Sequence, residues 1–197
     1  TRAQIILNSS KQFEKGDVLH WWHNHTGAGI RTYFSDDYLW LPYVLSEYVT
    51  RTGDISVLDE KTPYVEDKPM NGRREVYDLY RNIEKYDTVY EHAKKTINYG
   101  LSRINEKNGL LEIGDGDWND GFSNIRGESV WLTFFMMNVL EKFIYLANIK
   151  SDFKVAKEYE KKIAEFKESI LANTWDTDHF VRAFFENGEI LGAYVNN

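Results

Sequence analysis

Glu128-Ser129-Val130-Trp131-Leu132-Thr133-Phe134-Phe135-Met136-Met137-Asn138-Val139-Leu140-Glu141-Lys142-Phe143-Ile144-Tyr145-Leu146-Ala147-Asn148-Ile149 is the most apolar stretch of the chain. It is far longer than a strand, and a helix that is apolar on most of its sides is buried on most of its sides. The segment after it is of the opposite kind. Ser151-Asp152 offers a cap for a helix over about 153–174, in which Val155, Tyr159, Ile163, Phe166 and Ile170 make one stripe and Lys and Glu fill the remainder. That is the pattern of an outer helix with one face in water.

The same alternation extends toward the N-terminus. Asp87 caps a helix over about 88–104, with Ala93, Ile97, Leu101 and Ile104 on its buried stripe and Asn108-Gly109 closing it. Ser35-Asp36-Asp37 precedes Tyr38-Leu39-Trp40-Leu41, and Leu41, Leu45, Tyr48 and Val49 recur at helical spacing up to Gly53. Residues 3–13 read as a short helix with Ile5, Ile6 and Leu7 as its apolar patch. Lys15-Gly16-Asp17 reads as a turn, Val18-Leu19-His20-Trp21-Trp22 as extended and apolar, His23 to Gly29 and 110–127 as ordered loops, and 55–85, with Pro63 and Pro69, as a long charged connection. Near the end, Phe180 to Leu191 reads as a β-hairpin on the Asn187-Gly188 turn. The expected architecture is mainly all-α, one domain over residues 1–197, with inner and outer helices joined by loops rich in Gly, Asp and Trp.

Composition narrows the function. With 24 Lys+Arg against 31 Asp+Glu the net charge is −7, and without a basic block the chain is a poor match to nucleic-acid backbones. The absence of cysteine removes disulfides and thiolate chemistry and fits a reducing, cytoplasmic compartment. No apolar run approaches ~20 residues, so no membrane span is expected. Thr1-Arg2-Ala3-Gln4 does not start a signal peptide, and the lack of an initiator Met suggests a piece of something longer. The 15% aromatic content, six Trp, 13 Tyr and 11 Phe, suits either a core of large side chains or a sugar site, where flat rings stack on pyranose faces.

Three constellations could carry chemistry. Gly114-Asp115-Gly116-Asp117-Trp118-Asn119-Asp120-Gly121 places three carboxylates, an indole and an amide in a glycine-bearing loop. Counted from Asp115 as an EF-hand, position 6 is Asp120 and position 12 is Arg126, so a calcium loop fits poorly. A capping cluster before the 128–149 helix is the plainer alternative. In Arg31-Thr32-Tyr33-Phe34-Ser35-Asp36-Asp37, an arginine fork and adjacent carboxylates could hold sugar hydroxyls, or the two Asp could simply cap. His20-Trp21-Trp22-His23-Asn24-His25 could hold a metal through three histidines or line a polar pocket; the His spacing is loose.

These motifs carry a resemblance. Asp17-Val18, His20-Trp21-Trp22-His23, Arg31-Thr32, Ser35-Asp36-Asp37-Tyr38-Leu39-Trp40-Leu41-Pro42, the Gly114–Gly121 loop and Gly127-Glu128-Ser129-Val130-Trp131-Leu132 occur in this order. Together they resemble the inverting β-glucoside phosphorylases of glycoside hydrolase family 94: cellobiose and chitobiose phosphorylases, β-1,2-oligoglucan phosphorylases and the phosphorylase domain of cyclic β-1,2-glucan synthases. Gly121 and Gly127-Glu128-Ser129-Val130-Trp131-Leu132 look closer to the β-1,2-glucan branch. The resemblance implies part of an (α/α)6 barrel, with Asp120 as general acid. It implies Arg31, Asp37 and Trp118, with Asp117 beside them, as binding residues for the transferred glucosyl unit, converging in one cleft. It implies a β-glucoside or β-1,2-glucan substrate, inorganic phosphate as co-substrate, no further cofactor and no metal. It also places the phosphate-binding residues beyond Asn197 and a β-sandwich before Thr1. Ala28 stands where many relatives in the glucan branch carry a basic residue. Half a barrel leaves the 130–146 helix without partners, so either self-association or the rest of the barrel is expected to cover it.

The implied chemistry asks for one acid and no base, because phosphate is already an anionic nucleophile. An ordinary aspartate titrates near ~3.9. A proton donor at Asp120 therefore calls for an apolar cover such as Trp118 or a repelling neighbour, Asp117 or Asp115. An inverting hydrolase would need a second carboxylate as base. A non-catalytic carbohydrate-binding fragment would need neither.

Overall fold

The computed structural model describes residues 1–196 and divides into two compact units, Thr1–Tyr33 with Asp37–Tyr99, and Phe34–Asp36 with Gly100 onward. In the first unit, α1 (Arg2–Ser9) precedes β1 (Leu19–Trp22) and β2 (Ala28–Arg31), which pair antiparallel. Helix α2 (Asp37–Thr52) packs on α1. Three strands follow, β3 (Lys61–Val65), β4 (Val76–Leu79) and β5 (Asn82–Thr88), and then α3 (Val89–Leu101). Strand β4 joins β2 in a sheet of order β1-β2-β4, and β3 pairs with β5.

The second unit is built on a four-stranded sheet. Its strands are β6 (Leu111–Glu112), β7 (Arg126–Ser129), β10 (Ala183–Phe185) and β11 (Ile190–Leu191), ordered β11-β10-β7-β6. Between β7 and β10 run α4 (Val130–Ile149), α5 (Phe153–Asn173) and a small pair, β8 (Trp175–Asp176) and β9 (His179–Phe180). The backbones of β7 and β10 lie so close that a Cβ on Gly127 would sit 2.1 Å from the Phe184 carbonyl oxygen; only glycine fits this register.

The expectation of a mainly all-α fold forming part of an (α/α)6 barrel is corrected. Among the described residues the chain is mixed α/β, with five α-helices and eleven strands in four small antiparallel sheets. Most of the strands lie in the segments read as loops or as a connection, while β1 falls on the stretch read as extended and β10 and β11 in the expected hairpin. The 55–85 connection contains β3, β4 and the start of β5. Pro63 argued against a strand, yet β3 belongs to a two-stranded sheet, where every strand is an edge and a missing N–H is tolerated. Strand β5 is polar and mostly exposed, so it lacks the alternation that marks a half-buried strand. The Asn187-Gly188 turn does join two antiparallel strands, with Gly188 at φ +86°. The hairpin starts at Ala183, however, and Phe180 pairs with Trp175.

Helix α4 is the core helix of the second unit. Leu132, Met136, Val139, Leu140, Phe143 and Leu146 are buried, and its Phe143 meets Tyr159 of α5 at 6.0 Å between ring centroids. Contrary to the composition-based expectation, α4 is also long and apolar enough to cross a membrane; half of its most apolar window is buried inside the protein. Its start is fixed locally. Ser129 is the N-cap, and its Oγ accepts from the Leu132 N–H at 3.0 Å. Ser129→Ala should cost about 1–2 kcal/mol, read as roughly tenfold faster amide hydrogen exchange in the first turn of α4.

Candidate functional site

The Gly114–Gly121 loop connects β6 to β7, and its shape is set by a buried carboxylate. Asp117 has no exposed surface. Arg182 Nη2 donates to both Asp117 oxygens, at 2.7 and 2.6 Å, and Ser129 Oγ donates to Oδ2 at 2.6 Å. The Asn119 N–H donates to Oδ1 at 3.1 Å, closing an Asx turn. Arg182 Nη1 in turn donates to Ser129 Oγ at 3.0 Å, and its guanidinium lies 4.8 Å from the Phe122 ring centre. Hydrogen bonds between an arginine and a carboxylate are charge-assisted and strong. Asp117, Ser129 and Arg182 thus bolt the loop to the N-terminus of α4, where a negative charge is favoured. On the other side, Ser35 donates to the Gly116 carbonyl from both its N–H (2.9 Å) and its Oγ (3.0 Å). A Cβ on Gly116 (φ +153°) would meet Phe34 at 2.5 Å, so the loop closes over that ring only with glycine.

What this frame presents is Trp118 and Asp120. Asn119 caps a 3₁₀ turn, Asp120–Phe122, by accepting from the Gly121 N–H at 3.0 Å. Asp120 is exposed at the start of that turn. Trp118 is 68% exposed and begins an aromatic run, 6.5 Å from Trp131, which is 5.3 Å from Phe135. The repulsion from Asp117 expected at Asp120 is replaced by a different arrangement, because Arg182 already balances the Asp117 charge.

In the first unit, Asp37 opens α2 and faces a cavity of about 220 Å³ lined also by Asn8, Lys11, His20, Trp22 and Trp40. His20 Nδ1 lies 2.9 and 3.1 Å from the two Asp37 oxygens. Lys11 reaches this cavity from α1's C-terminal side, and burial lowers its pKa. Arg31 is not among the lining residues. It is 5% exposed, and its Nε donates to Asp17 Oδ2 at 2.7 Å. Its Nη1 donates to Asp67 Oδ1 at 2.6 Å and to the Lys68 carbonyl at 2.8 Å, and the guanidinium stacks 3.8 Å over Phe13. Burial works against its charge, but the bonds and charges of Asp17 and Asp67 more than compensate. The three histidines do not gather: His20 turns to Asp37, and His23 stacks edge-on with Trp21 at 5.2 Å. Among the described residues no group of three or more His, Asp or Glu is arranged to hold a metal ion.

The profile of the Glycosyl hydrolase 94 superfamily, catalytic domain, matches residues 1–197. The chain belongs to this superfamily. Over 99% of its length it is 32% identical to the cyclic beta-(1,2)-glucan synthase NdvB of Rhizobium meliloti (strain 1021). It is 29% identical over 82% of its length to a solabiose phosphorylase of Paenibacillus borealis, and 25% identical over 84% to an N,N'-diacetylchitobiose phosphorylase of Vibrio furnissii. The chain spans only 7% of that synthase and 19% of each phosphorylase. Among solved structures, a GH78 family rhamnosidase of Bacillus sp. GL1 matches with a TM-score of 0.59 at 17% identity, over 83% of this chain and 15% of the other. At that identity the likeness concerns the fold alone.

Within this glycosyl hydrolase 94 chain, Arg31 and Asp37 fall in the first unit, and Asp117, Trp118 and Asp120 in the second. Sequence reasoning passed over Arg182 and Ser129 as the holders of the acidic loop, and Asn8 and Lys11 as walls of the Asp37 cavity. Arg182 did carry a signal: it is the single charge within Phe180-Val181-Arg182-Ala183-Phe184-Phe185, and a charge inside an apolar run needs a partner once the run is buried.

Proposed function

We propose that this chain carries the general acid, Asp120, of an inverting glycoside phosphorylase that acts on a β-linked glucoside, with β-1,2-linked glucan the favoured substrate. The observation that carries the reading is the division of labour in the Gly114–Gly121 loop. One carboxylate, Asp117, is buried and neutralised by Arg182, while a second, Asp120, stands exposed beside an exposed indole. Membership of the glycosyl hydrolase 94 superfamily supports the reaction class. The 32% identity to a cyclic β-1,2-glucan synthase over almost the whole chain supports the substrate class.

In this reading Asp120 gives its proton to the glycosidic oxygen as that oxygen leaves C1. A phosphate oxygen attacks C1 from the opposite face, so a β-linkage becomes α-glucose 1-phosphate. Bound sugar excludes water from around Asp120. Trp118 offers its ring to an apolar pyranose face, and Trp131 and Phe135 extend the aromatic surface. Asp37 accepts sugar hydroxyls in its own cavity, and Arg31, held by Asp17 and Asp67, fixes the strand that leads to it.

The test is an assay of the full-length protein with a β-1,2-glucan, with and without phosphate. Phosphate-dependent release of α-glucose 1-phosphate is expected. Release of free glucose at an equal rate without phosphate would make the protein a hydrolase and overturn the proposal.

A further inference from the structure

We propose that His20 is a positioning residue: it holds the Asp37 carboxylate in the orientation that receives one sugar ring in the cavity lined by Asn8, Lys11, Trp22 and Trp40. The proposal rests on reading Asp37 as a sugar-binding residue and adds to that reading what makes Asp37 competent.

A carboxylate only accepts hydrogen bonds, so the ring nitrogen 2.9 Å from Asp37 Oδ2 and 3.1 Å from Oδ1 must carry the proton. This places a hydrogen on Nδ1. The two side chains are 27% and 17% exposed and line the same cavity. They come from different elements. Asp37 is the first residue of α2, where the helix dipole favours its charge but leaves its χ1 to choose among rotamers. His20 comes from β1, at a break in register with β2 between Leu19 and Trp21. A bulge re-aims a side chain: Leu19 is buried and Trp21 is 41% exposed, while His20 between them reaches Asp37. The strand is held by its ladder to β2 and supplies the fixed donor that the helix start lacks.

The cavity suits what Asp37 would bind. At about 220 Å³ it is smaller than pockets for drug-sized ligands, which run roughly 300–1,000 Å³, so it admits a single sugar ring. Two indoles supply apolar surface, and Asn8, Lys11 and Asp37 supply directional polar groups. A carboxylate free to turn among rotamers would have to be ordered by each arriving sugar, weakening binding; one already held by an imidazole would not.

The experiment is a double-mutant cycle in the full-length protein, with the β-1,2-linked glucose disaccharide as probe and its dissociation constant measured by calorimetry. His20→Phe keeps the ring volume and removes the donor; it should weaken binding about tenfold, the size of one hydrogen bond to a charged group. Asp37→Asn should weaken it at least as much. In the Asp37→Asn background, His20→Phe should add less than about twofold, because a residue that acts through Asp37 has nothing left to position. His20→Gln, whose amide can still donate, should stay within about fivefold of the unaltered protein. Additive effects of His20→Phe and Asp37→Asn, or unchanged affinity in His20→Phe, would overturn the proposal. If His20→Phe does not fold, His20→Gln decides alone: a loss within about fivefold supports the proposal and a larger one overturns it. Glucose 1-phosphate release by the unaltered protein is measured in parallel. A protein that binds the disaccharide with the expected coupling but releases no glucose 1-phosphate would sink the phosphorylase reading and leave His20 in its role. Intact phosphorolysis with additive variants would do the reverse.

Discussion

Asn in place of Asp120 should reduce phosphorolysis by the full-length protein by about 10²–10⁴-fold, with the larger values for a leaving group as poor as a sugar hydroxyl. Glucan affinity should stay within about threefold, the reach of a single exposed contact. Asn has nearly the shape of Asp and still bonds hydroxyls, but it cannot protonate a departing oxygen. The geometry makes this a clean substitution. Asp120 is exposed, and the cap that holds its turn is Asn119, not its own carboxylate. Turnover and binding should be measured separately, by glucose 1-phosphate release and by calorimetry. Near-normal turnover would place the acid elsewhere. Asp117 is a poor replacement, since both its oxygens are taken by Arg182 and it has no exposed surface. Joint loss of turnover and binding would mark Asp120 as a structural residue of its loop. The 197-residue chain alone should show little or no phosphorolysis, because it spans 7–19% of the relatives described and an anionic nucleophile needs donors to hold it in line.

Removing the Asp117 side chain should act on the frame instead of the chemistry. Asp117→Ala leaves Arg182, Ser129 Oγ and the Asn119 N–H without their acceptor. Breaking a buried pair costs about 3–5 kcal/mol, and the lower figure applies here because Arg182 is 26% exposed and can turn to water. About 3 kcal/mol corresponds to roughly 100-fold faster amide exchange across residues 114–127 if the loop opens locally. Turnover should fall as Trp118 and Asp120 lose their setting. Arg182→Met should produce a similar release, and the two changes together should be less than additive. If Asp117 instead binds sugar directly, Asp117→Ala would weaken affinity while exchange in the loop stayed at the level of the unaltered protein.

The long helices were legible because length and spacing agree in them. Helix α5 keeps one apolar stripe over many turns, and α4 is too apolar and too long to be anything but a helix. Apart from β1 and the hairpin on the local Asn187-Gly188 turn, the strands were not legible, because their identity comes from partners remote in sequence. Asn82-Ile83-Glu84-Lys85-Tyr86-Asp87-Thr88 has no alternation, and it is a strand only because β3 lies beside it. β6 is two residues long, below the length of any periodic signal. At the site, the Gly114–Gly121 loop announced itself through glycine and carboxylate density around one Trp. The different duties of its acids did not, since Asp117 and Asp120 look alike in sequence and are separated by an arginine 65 residues away from the first of them. For the same reason His20 read as one of three histidines until Asp37 was found beside it.

The Asp117–Arg182 bond also bears on the order of synthesis. A ribosome adds about 5–20 residues per second, so the 65 residues between the two partners take about 3–13 s to make. During that interval the Gly114–Gly121 segment exists with every one of its own residues and without the charge that shapes it. A nascent chain halted before Arg182 carries Trp118 and Asp120 on a loop tied by Ser35 and Ser129, and the buried acid gains its counter-charge only when the strand from Ala183 to Phe185 arrives beside β7.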